Sequence, residues 1–481
     1  MAKSIKLNLF YNILLNVSNI IFPFITAPYI ARVLEPDGVG LYNFAYTIAG
    51  YFALAACLGV PTYGIRIVGA NRDDFKTLNK VFCEVFSILV YVTLLLSVIF
   101  VISTMFIPQF HEHWAIFLIS GFALYVVPFK VDWFFSGLQQ FGYIAARSII
   151  IKTIAVLSLF IFVHDKNDLI YYVSISAFSI VANEIWNFIK LLKLGVKVKL
   201  VIAGCKQHLK PIMILFSSFI ATAIYTSLGT VILGFIDSYS EVGYYNSAAN
   251  ICKVAVPVVT SLATVALPQI ANYLKNGKLQ EVNELINKSV SLTLFMAIPL
   301  TSILLVIAPD FVPLFFGDKF AQSVVPMQIL AFLTTIVGLN NITGIQILIG
   351  LGKDKEFLKS VVISAGLSVI AYFAFVPLWG AVGAACGTLL AELLILIISY
   401  IYIKKTTDIE FHVQKDFILT VISSVTLIFV YILCKSYLGG WLLVIIGSGF
   451  GVLVYTLVQY LCGNKTMLIA KNALLRKVKL R

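Results

Sequence analysis

Val39-Gly-Leu-Tyr-Asn-Phe-Ala-Tyr-Thr-Ile48 returns 203 positions later as Val242-Gly-Tyr-Tyr-Asn-Ser-Ala-Ala-Asn-Ile251, with six of the ten positions identical. Each copy follows a long apolar stretch and an acidic turn, Glu35-Pro-Asp37 before the first and Asp237-Ser-Tyr-Ser-Glu241 before the second. Each then opens another apolar stretch. Gly, Tyr and Asn in register are harder to obtain by chance than Leu or Val, so the pattern marks a duplicated helical bundle.

The surrounding chain is a membrane chain. Of its 481 residues 60% are apolar and only 12% charged, and the mean hydropathy is +0.97. A soluble chain carries about 25% charged residues. The apolar blocks run to roughly 20 residues or more, enough to cross a hydrocarbon layer about 30 Å thick. Fourteen spans are expected, near 9–33, 41–65, 81–106, 114–135, 143–163, 169–190, 211–236, 242–272, 287–307, 322–350, 357–377, 380–403, 417–435 and 440–462; they are numbered 1 to 14 below. The opening Met-Ala-Lys-Ser-Ile-Lys resembles the start of a signal peptide. The apolar block behind it runs to about Val33 without an Ala-x-Ala site, so it is expected to stay as the first helix. The seven cysteines are scattered, mostly inside apolar blocks, and suggest packing rather than disulfides or metal.

Placing the N-terminus in the cytoplasm and alternating sides puts 27 of the 35 Lys and Arg residues on the cytoplasmic side, and only Lys166, Lys319 and Lys435 outside. Such a split fixes both termini inside the cell, and a missed span would shift every later loop to the wrong face. The net charge of +13 is therefore topological, and no nucleic-acid partner is expected. All loops are short. The longest, about 191–210, is cytoplasmic and basic. No Walker A motif, soluble domain or long outer loop is present, which argues against ATP hydrolysis and against a large outer catalytic segment.

The offset maps span 2 onto span 8, so spans 1–6 correspond to spans 7–12. Six is even, so the copies keep one orientation and are parallel repeats. Ala182-Asn-Glu184 and Leu390-Ala-Glu392 give a weaker echo in spans 6 and 12. The expected fold class is an all-α polytopic membrane protein of about 14 transmembrane helices, two parallel six-helix repeats plus two C-terminal helices. Its expected divisions are an N-lobe at 1–205, a C-lobe at 206–406, and spans 13–14 with a basic cytoplasmic tail at 407–481.

A charge at the bilayer centre costs several kcal/mol and is rare unless it faces a cavity or a partner. Five bases fall within spans, Arg32, Lys130, Arg147, Lys152 and Lys253, and four acids, Glu84, Asp132, Glu184 and Glu392. Arg32 and Arg147 lie near span ends, where snorkelling to headgroups is an alternative. Lys130 and Asp132 are close enough to form a structural pair. Glu84 lies near the cytoplasmic end of span 3, where a solvated position is expected. Lys152, Lys253, Glu184 and Glu392 lie deeper and are expected to face a cavity. Four of the five bases belong to the first repeat. A basic cavity suits an anion, and a diphosphate suits it well, because Arg and Lys bind it through charge-assisted hydrogen bonds. Tyr42, Asn43, Tyr245 and Asn246, from the repeated motif, are candidates for stacking on and hydrogen bonding to sugars, with packing as the alternative.

Asn16-Val-x-Asn, Pro23-x-x-Thr-x-Pro28-Tyr-Ile-Ala-Arg-Val-Leu34, Gly38-Val-Gly-Leu-Tyr-Asn-Phe-Ala45, Leu58-Gly59 and Tyr63-Gly-Ile-Arg66 resemble the polysaccharide transporter family, the Wzx-type flippases of O-antigen and capsule repeat units. Gln346-Ile-Leu-Ile-Gly-Leu-Gly-Lys353, Leu358-Lys-Ser360 and Gly380-Ala-Val-Gly-Ala-Ala385 agree. The resemblance implies two six-helix lobes plus two helices, a MATE- and MurJ-like fold of the multidrug/oligosaccharidyl-lipid/polysaccharide exporter superfamily. It implies as partners an undecaprenyl-diphosphate-linked glycan, membrane lipids, and the polysaccharide polymerase and chain-length machinery. It also implies residence in the cytoplasmic membrane. Arg32 and Arg66 match the family's motif; Lys130, Arg147, Lys152 and Lys253 follow from topology. Glu35-Pro-Asp37 departs from the pattern, which commonly has Gly after the Leu.

The expected activity is therefore flipping of a lipid-linked oligosaccharide by alternating access, with no enzymatic chemistry, no metal and no resident cofactor. H+ or Na+ coupling through Asp132, Glu184 or Glu392 is an accompanying expectation. Rival readings are a peptidoglycan-precursor flippase, a drug/cation antiporter of the same superfamily, which wants an acidic cavity, and a membrane polymerase or acyltransferase. Many membrane acyltransferases need an embedded His, and His111, His113, His164, His208 and His412 all fall in expected loops or at span ends.

Overall fold

The computed structural model describes residues 5–411, 414–464 and 466–467; Lys3, His412, Lys465 and the basic residues of 468–481 lie outside them. The described residues form helices joined by short turns, with no strand among them. Among the described residues nine stretches are long and apolar enough to cross a membrane, and two of these, Phe10–Asn71 and Asp354–Thr406, each cover two expected spans. Shorter apolar helices occupy Trp114–Phe129 and Thr226–Ile236. The chain is a multi-pass membrane protein. Two of the nine stretches join helices across kinks, and the expected span 4 is divided into shorter helices.

The two kinks are hairpin turns of one residue. The helix Ile5–Cys57 reverses at Glu35 (φ 60°, ψ 175°), and Asp354–Thr406 reverses at Gly380 (φ 51°, ψ −125°). Pro36 forces its predecessor into an extended ψ and opens the next helix with a φ already suited to it. The reversal also demands a positive φ, which Gly380 adopts freely and Glu35 adopts at a cost of about 1–3 kcal/mol. The turn is tight although the glycine common at this point in the resembling family is missing.

Cα packing divides the chain into two units, Met1–Gly243 and Tyr244–Arg481. In the first, span 7 (Cys205–Ile236) lies against span 2: the Tyr51 hydroxyl donates to the Ala223 carbonyl at 2.9 Å, and the Phe44 and Phe235 rings meet edge to face at 5.2 Å. The repeated Val-Gly pair acquires a mechanical meaning here. A Cβ on Gly40 would lie 1.6 Å from the Tyr239 carbonyl oxygen and 2.9 Å from the Gly243 nitrogen; a Cβ on Gly243 would lie 2.2 Å from the Pro36 carbonyl oxygen. The offset of 203 turns Pro36 into Tyr239 and Gly40 into Gly243. The contact is thus reciprocal: the openings of spans 2 and 8 cross backbone to backbone, with no room for a methyl group.

Span 4 is not one helix. It runs as Trp114–Ser120, Phe122–Tyr125, a 3-10 turn Val127–Phe129 and Asp132–Gly137. Pro128 lies in the 3-10 turn, and Lys130 behind it has non-helical φ −73°, ψ 74°. Irregular backbone at membrane depth persists where it is buried in protein or lines a cavity. In the second unit, span 10 breaks similarly into Val324–Ala331, Leu333–Asn340 and a π-helix Asn341–Ile349. The second unit packs spans 8, 9, 10 and 12 around Ile270, Ile286, Ile342, Ile347 and Ile403. Spans 13 and 14 dock on span 9: Lys435 Nζ binds Asp310 at 2.9 Å, and the Tyr455 hydroxyl donates to the Phe295 carbonyl at 2.7 Å.

Thermal unfolding of purified variants tests the glycine crossing. Gly40→Ala is expected to lose roughly 3 kcal/mol or more, since backbone must move. Gly366→Ala, where a Cβ meets nothing within 4 Å, is expected to be neutral or stabilising by up to about 1 kcal/mol. Equal melting of the two would remove the steric reading.

Candidate functional site

The first unit holds an open cavity of about 640 Å³ among spans 1, 2, 4, 5 and 6. Its walls are mostly apolar, from Leu15, Leu54, Val127, Ile144 and Ile180, but five charged side chains reach it: Lys130, Asp132, Arg147, Lys152 and Glu184. Asn19, Tyr46, Ser148, Ser179 and Asn183 add polar groups. Three bases and two acids leave one net positive charge within an apolar bundle. The broken span 4 delivers two of the five, because the unwound residues Val126 to Val131 let Lys130 and Asp132 leave the helical stripe.

Arg147 is 3% exposed, and its Nη2 donates to Asp132 Oδ1 at 2.9 Å. Asn187 Nδ2 donates to the same oxygen, also at 2.9 Å. Asp132 and Arg147 are 15 residues apart, on either side of the turn between spans 4 and 5. The guanidinium also lies 5.7 Å from the Tyr143 ring centroid. These contacts leave Arg147 Nε and Nη1 buried without a hydrogen-bond partner among the described residues, and the same holds for Glu184 Oε2 and the Oδ1 atoms of Asn183 and Asn187. Buried donors and acceptors of this kind are normally satisfied by water or ligand. Lys152 Nζ donates to Asn19 Oδ1 and lies 6.0 Å from the Phe22 ring centroid. Lys130 is exposed and lines the cavity, and its side chain makes no ion pair or hydrogen bond among the described residues. The cavity wall therefore carries two Lys ammonium groups and an almost wholly buried guanidinium with two unsatisfied nitrogens, oriented by the Asp132 carboxylate.

Of the residues singled out from sequence, Lys130, Arg147 and Lys152 meet here, with Asp132 and Glu184 beside them. The others lie elsewhere. Arg32 is exposed and away from the cavity wall. Arg66 lies 5.8 Å from the Tyr63 ring centroid. Tyr42 stacks on Tyr46 at 5.6 Å and meets Tyr172 edge to face at 4.6 Å, so it backs the cavity through Tyr46. The Asn43 amide donates to the Val39 carbonyl of its own helix at 2.8 Å. Lys253, Tyr245 and Asn246 belong to the second unit. Lys253 is exposed, Asn246 is buried, and the buried Tyr245 hydroxyl is bound to Thr388 Oγ1 at 2.8 Å. Glu392 accepts from Asn340 Nδ2 at 2.7 Å. Each unit thus pairs an acid with an amide, with the roles exchanged: the acid is on span 4 in the first (Asp132–Asn187) and on span 12 in the second (Asn340–Glu392).

Two features escaped the sequence reading. Asn19 and Asn187 carry no charge and stand out only once their partners are known, although Asn19 closes the Asn16-Val-x-Asn motif. Glu84, expected in solvent, is 2% exposed and bound to His208, also 2% exposed. The span 7 helix begins at Cys205 rather than near 211, which brings His208 out of the expected loop and against span 3.

Residues 5–274 match the family model described as polysaccharide biosynthesis protein. The chain belongs to that family. It is 25% identical over 419 residues to an Escherichia coli (strain K12) protein provisionally named O-antigen transporter, covering 84% of this chain and 97% of that one. It is 22% identical over 404 residues to the capsular polysaccharide biosynthesis protein CapF of Staphylococcus aureus, covering 83% and 99%. Among solved structures, the lipid II flippase MurJ in an inward closed conformation superposes with a TM-score of 0.75 at 16% identity, covering 94% of this chain and 98% of that one. An inward-facing MATE-family transporter of the MOP superfamily gives 0.57 at 14% identity, covering 82% and 95%. Both likenesses concern the fold.

The pair Arg147–Asp132 is open to a double-mutant cycle. Removing one partner leaves the other charge unpaired, so Arg147→Met and Asp132→Asn are each expected to destabilise by about 3 kcal/mol or more. The double variant is expected to melt above both single variants. Additive losses would show that the two charges do not support each other.

Proposed function

We propose that the chain is a flippase that moves undecaprenyl-diphosphate-linked oligosaccharide repeat units across the cytoplasmic membrane for cell-surface polysaccharide synthesis, with no enzymatic step. The observation that carries this is the convergence of Lys130, Lys152 and the unused donors of Arg147 on one cavity inside apolar spans. A diphosphate matches three positive groups in charge and hydrogen bonding. A cationic drug would meet a net positive wall, which disfavours the antiporter reading. The family and the O-antigen and capsule names of the relatives support a glycan substrate. The lipid tail would remain in the bilayer beside the bundle. Both termini are proposed to be cytoplasmic, on the 27-to-3 division of basic residues.

Exposed Tyr46, backed by Tyr42, is the proposed stacking surface for a sugar ring. The cavity acids Asp132 and Glu184, and Glu392 in the second unit, are proposed to bind a proton or sodium ion that resets the cycle. Transport measured while the two gradients are collapsed separately checks this, and indifference to both ends that part of the reading.

The anion site is checked by export of surface glycan in cells lacking the chain and supplied with variants. A charge-assisted hydrogen bond contributes about 1.5–3 kcal/mol, roughly 10- to 100-fold. Lys130→Ala and Lys152→Ala are each expected to reduce export by about that factor at normal membrane abundance, and Lys152→Arg to retain most of it. Full export in both alanine variants would remove the diphosphate from this cavity.

A further inference from the structure

A second buried polar cluster lies in the first unit, outside the cavity. Glu84 on span 3 and His208 at the start of span 7 are each 2% exposed, and Tyr63 on the helix Val60–Asn71 is 6% exposed. Glu84 Oε2 accepts from Gln207 Nε2 at 2.9 Å and lies 2.8 Å from His208 Nε2. The other ring nitrogen, Nδ1, lies 2.6 Å from the Tyr63 hydroxyl. The nearby groups that interact electrostatically are Arg66, beside Tyr63, and the Cys205 thiol, beside Glu84.

The chain leading to this cluster is laid along span 3. Asn79 Nδ2 donates to the Lys197 carbonyl at 3.1 Å, and the Lys197 N–H donates back to Asn79 Oδ1 at 2.6 Å. Cys83 Sγ also donates to the Lys197 carbonyl, at 3.0 Å, and the Val201 N–H donates to Ser87 Oγ at 2.9 Å. Positions 79, 83 and 87 recur every four residues, so they form one stripe of the helix. Gly204, at φ +88°, then turns directly over Glu84: a Cβ there would lie 2.1 Å from Oε1. The connection between spans 6 and 7 is therefore a strap, pinned along span 3 and closed by the Glu84–His208 contact.

The hydrogen-bond chemistry of the three side chains suits one exchangeable proton. With neutral imidazole, Nε2–H donates to the carboxylate and Nδ1 accepts from the Tyr63 hydroxyl. With imidazolium, both nitrogens donate, and Tyr63 becomes the acceptor by rotating its O–H. Neither state requires a heavy atom to move, but only the second gives the buried carboxylate a counter-charge, and an uncompensated buried charge is costly. We propose that Glu84, His208 and Tyr63 form a one-proton binding site that locks the strap onto span 3 when occupied and loosens it when the proton leaves. The site is distinct from the cavity acids, and it rests on the flippase reading only for its use, as a second point at which protons act on the cycle.

The test is hydrogen–deuterium exchange of peptides covering 194–210 in the purified full chain, without substrate, from about pH 5 to 9, the range in which imidazoles titrate. Rates are corrected for intrinsic exchange. Protection in the wild type is expected to fall by about tenfold as pH rises, with peptides of span 5 unaffected. His208→Gln and Glu84→Gln are expected to abolish the pH dependence, and Tyr63→Phe to shift its midpoint while the strap stays ordered. Protection that is constant with pH in the wild type would overturn the proposal, as would a transition that survives in His208→Gln. If the first two variants do not fold, an unmoved midpoint in Tyr63→Phe would overturn it. Because no glycan lipid is present, a failed export assay leaves this result standing, and the two readings fall separately.

Discussion

A charge inside a hydrocarbon layer must find a partner, and the first unit of this chain is arranged around that requirement. Arg147, almost wholly buried, is held by Asp132, which Asn187 holds in turn. To bring Asp132 there, span 4 gives up helical geometry at Pro128 and sends Lys130 into the same space. The broken helix, the cavity and its positive balance are consequences of one buried ion pair that is left incompletely satisfied. A guanidinium with unsatisfied nitrogens beside two ammonium groups, one of them held only by the neutral Asn19, is poor construction for a purely structural core and good construction for holding an anion.

The duplication supplies the frame. Its repeated glycines, Gly40 and Gly243, leave no room for a methyl group beside the Tyr239 and Pro36 carbonyls, so part of the motif legible in the sequence is steric, while Tyr46 of its first copy lines the cavity. Its tyrosines diverge: Tyr42 backs the cavity through Tyr46, whereas Tyr245 is buried on Thr388. Among the described residues the charged cluster of the first unit has no equal in the second, where the acid–amide pair Glu392–Asn340 stands without a neighbouring base.

Much of this was visible in the sequence because membranes impose strong patterns. Apolar block length marks the chain as a multi-pass helical membrane protein. Embedded charges are rare enough that Lys130, Arg147 and Lys152 could be named individually. What stayed hidden depends on three-dimensional pairing. Nothing local shows that Asp132 binds Arg147 rather than Lys130, or that Glu84 meets a histidine 124 residues away. Arg32 and Arg66 carried the family motif, yet neither lines the cavity, because a motif records what recurs and not where a side chain points. One-residue hairpins at Glu35 and Gly380 likewise conceal span boundaries from any rule based on hydropathy alone.

The most direct measurement is binding of undecaprenyl diphosphate, without sugars, to the purified chain in lipid nanodiscs. Saturable binding that inorganic diphosphate displaces, and that weakens at least about tenfold when Lys130, Arg147 and Lys152 are all replaced by Gln, is the predicted result. Equal affinity of the wild type and a folded triple variant would contradict the assignment of the cavity as the diphosphate site.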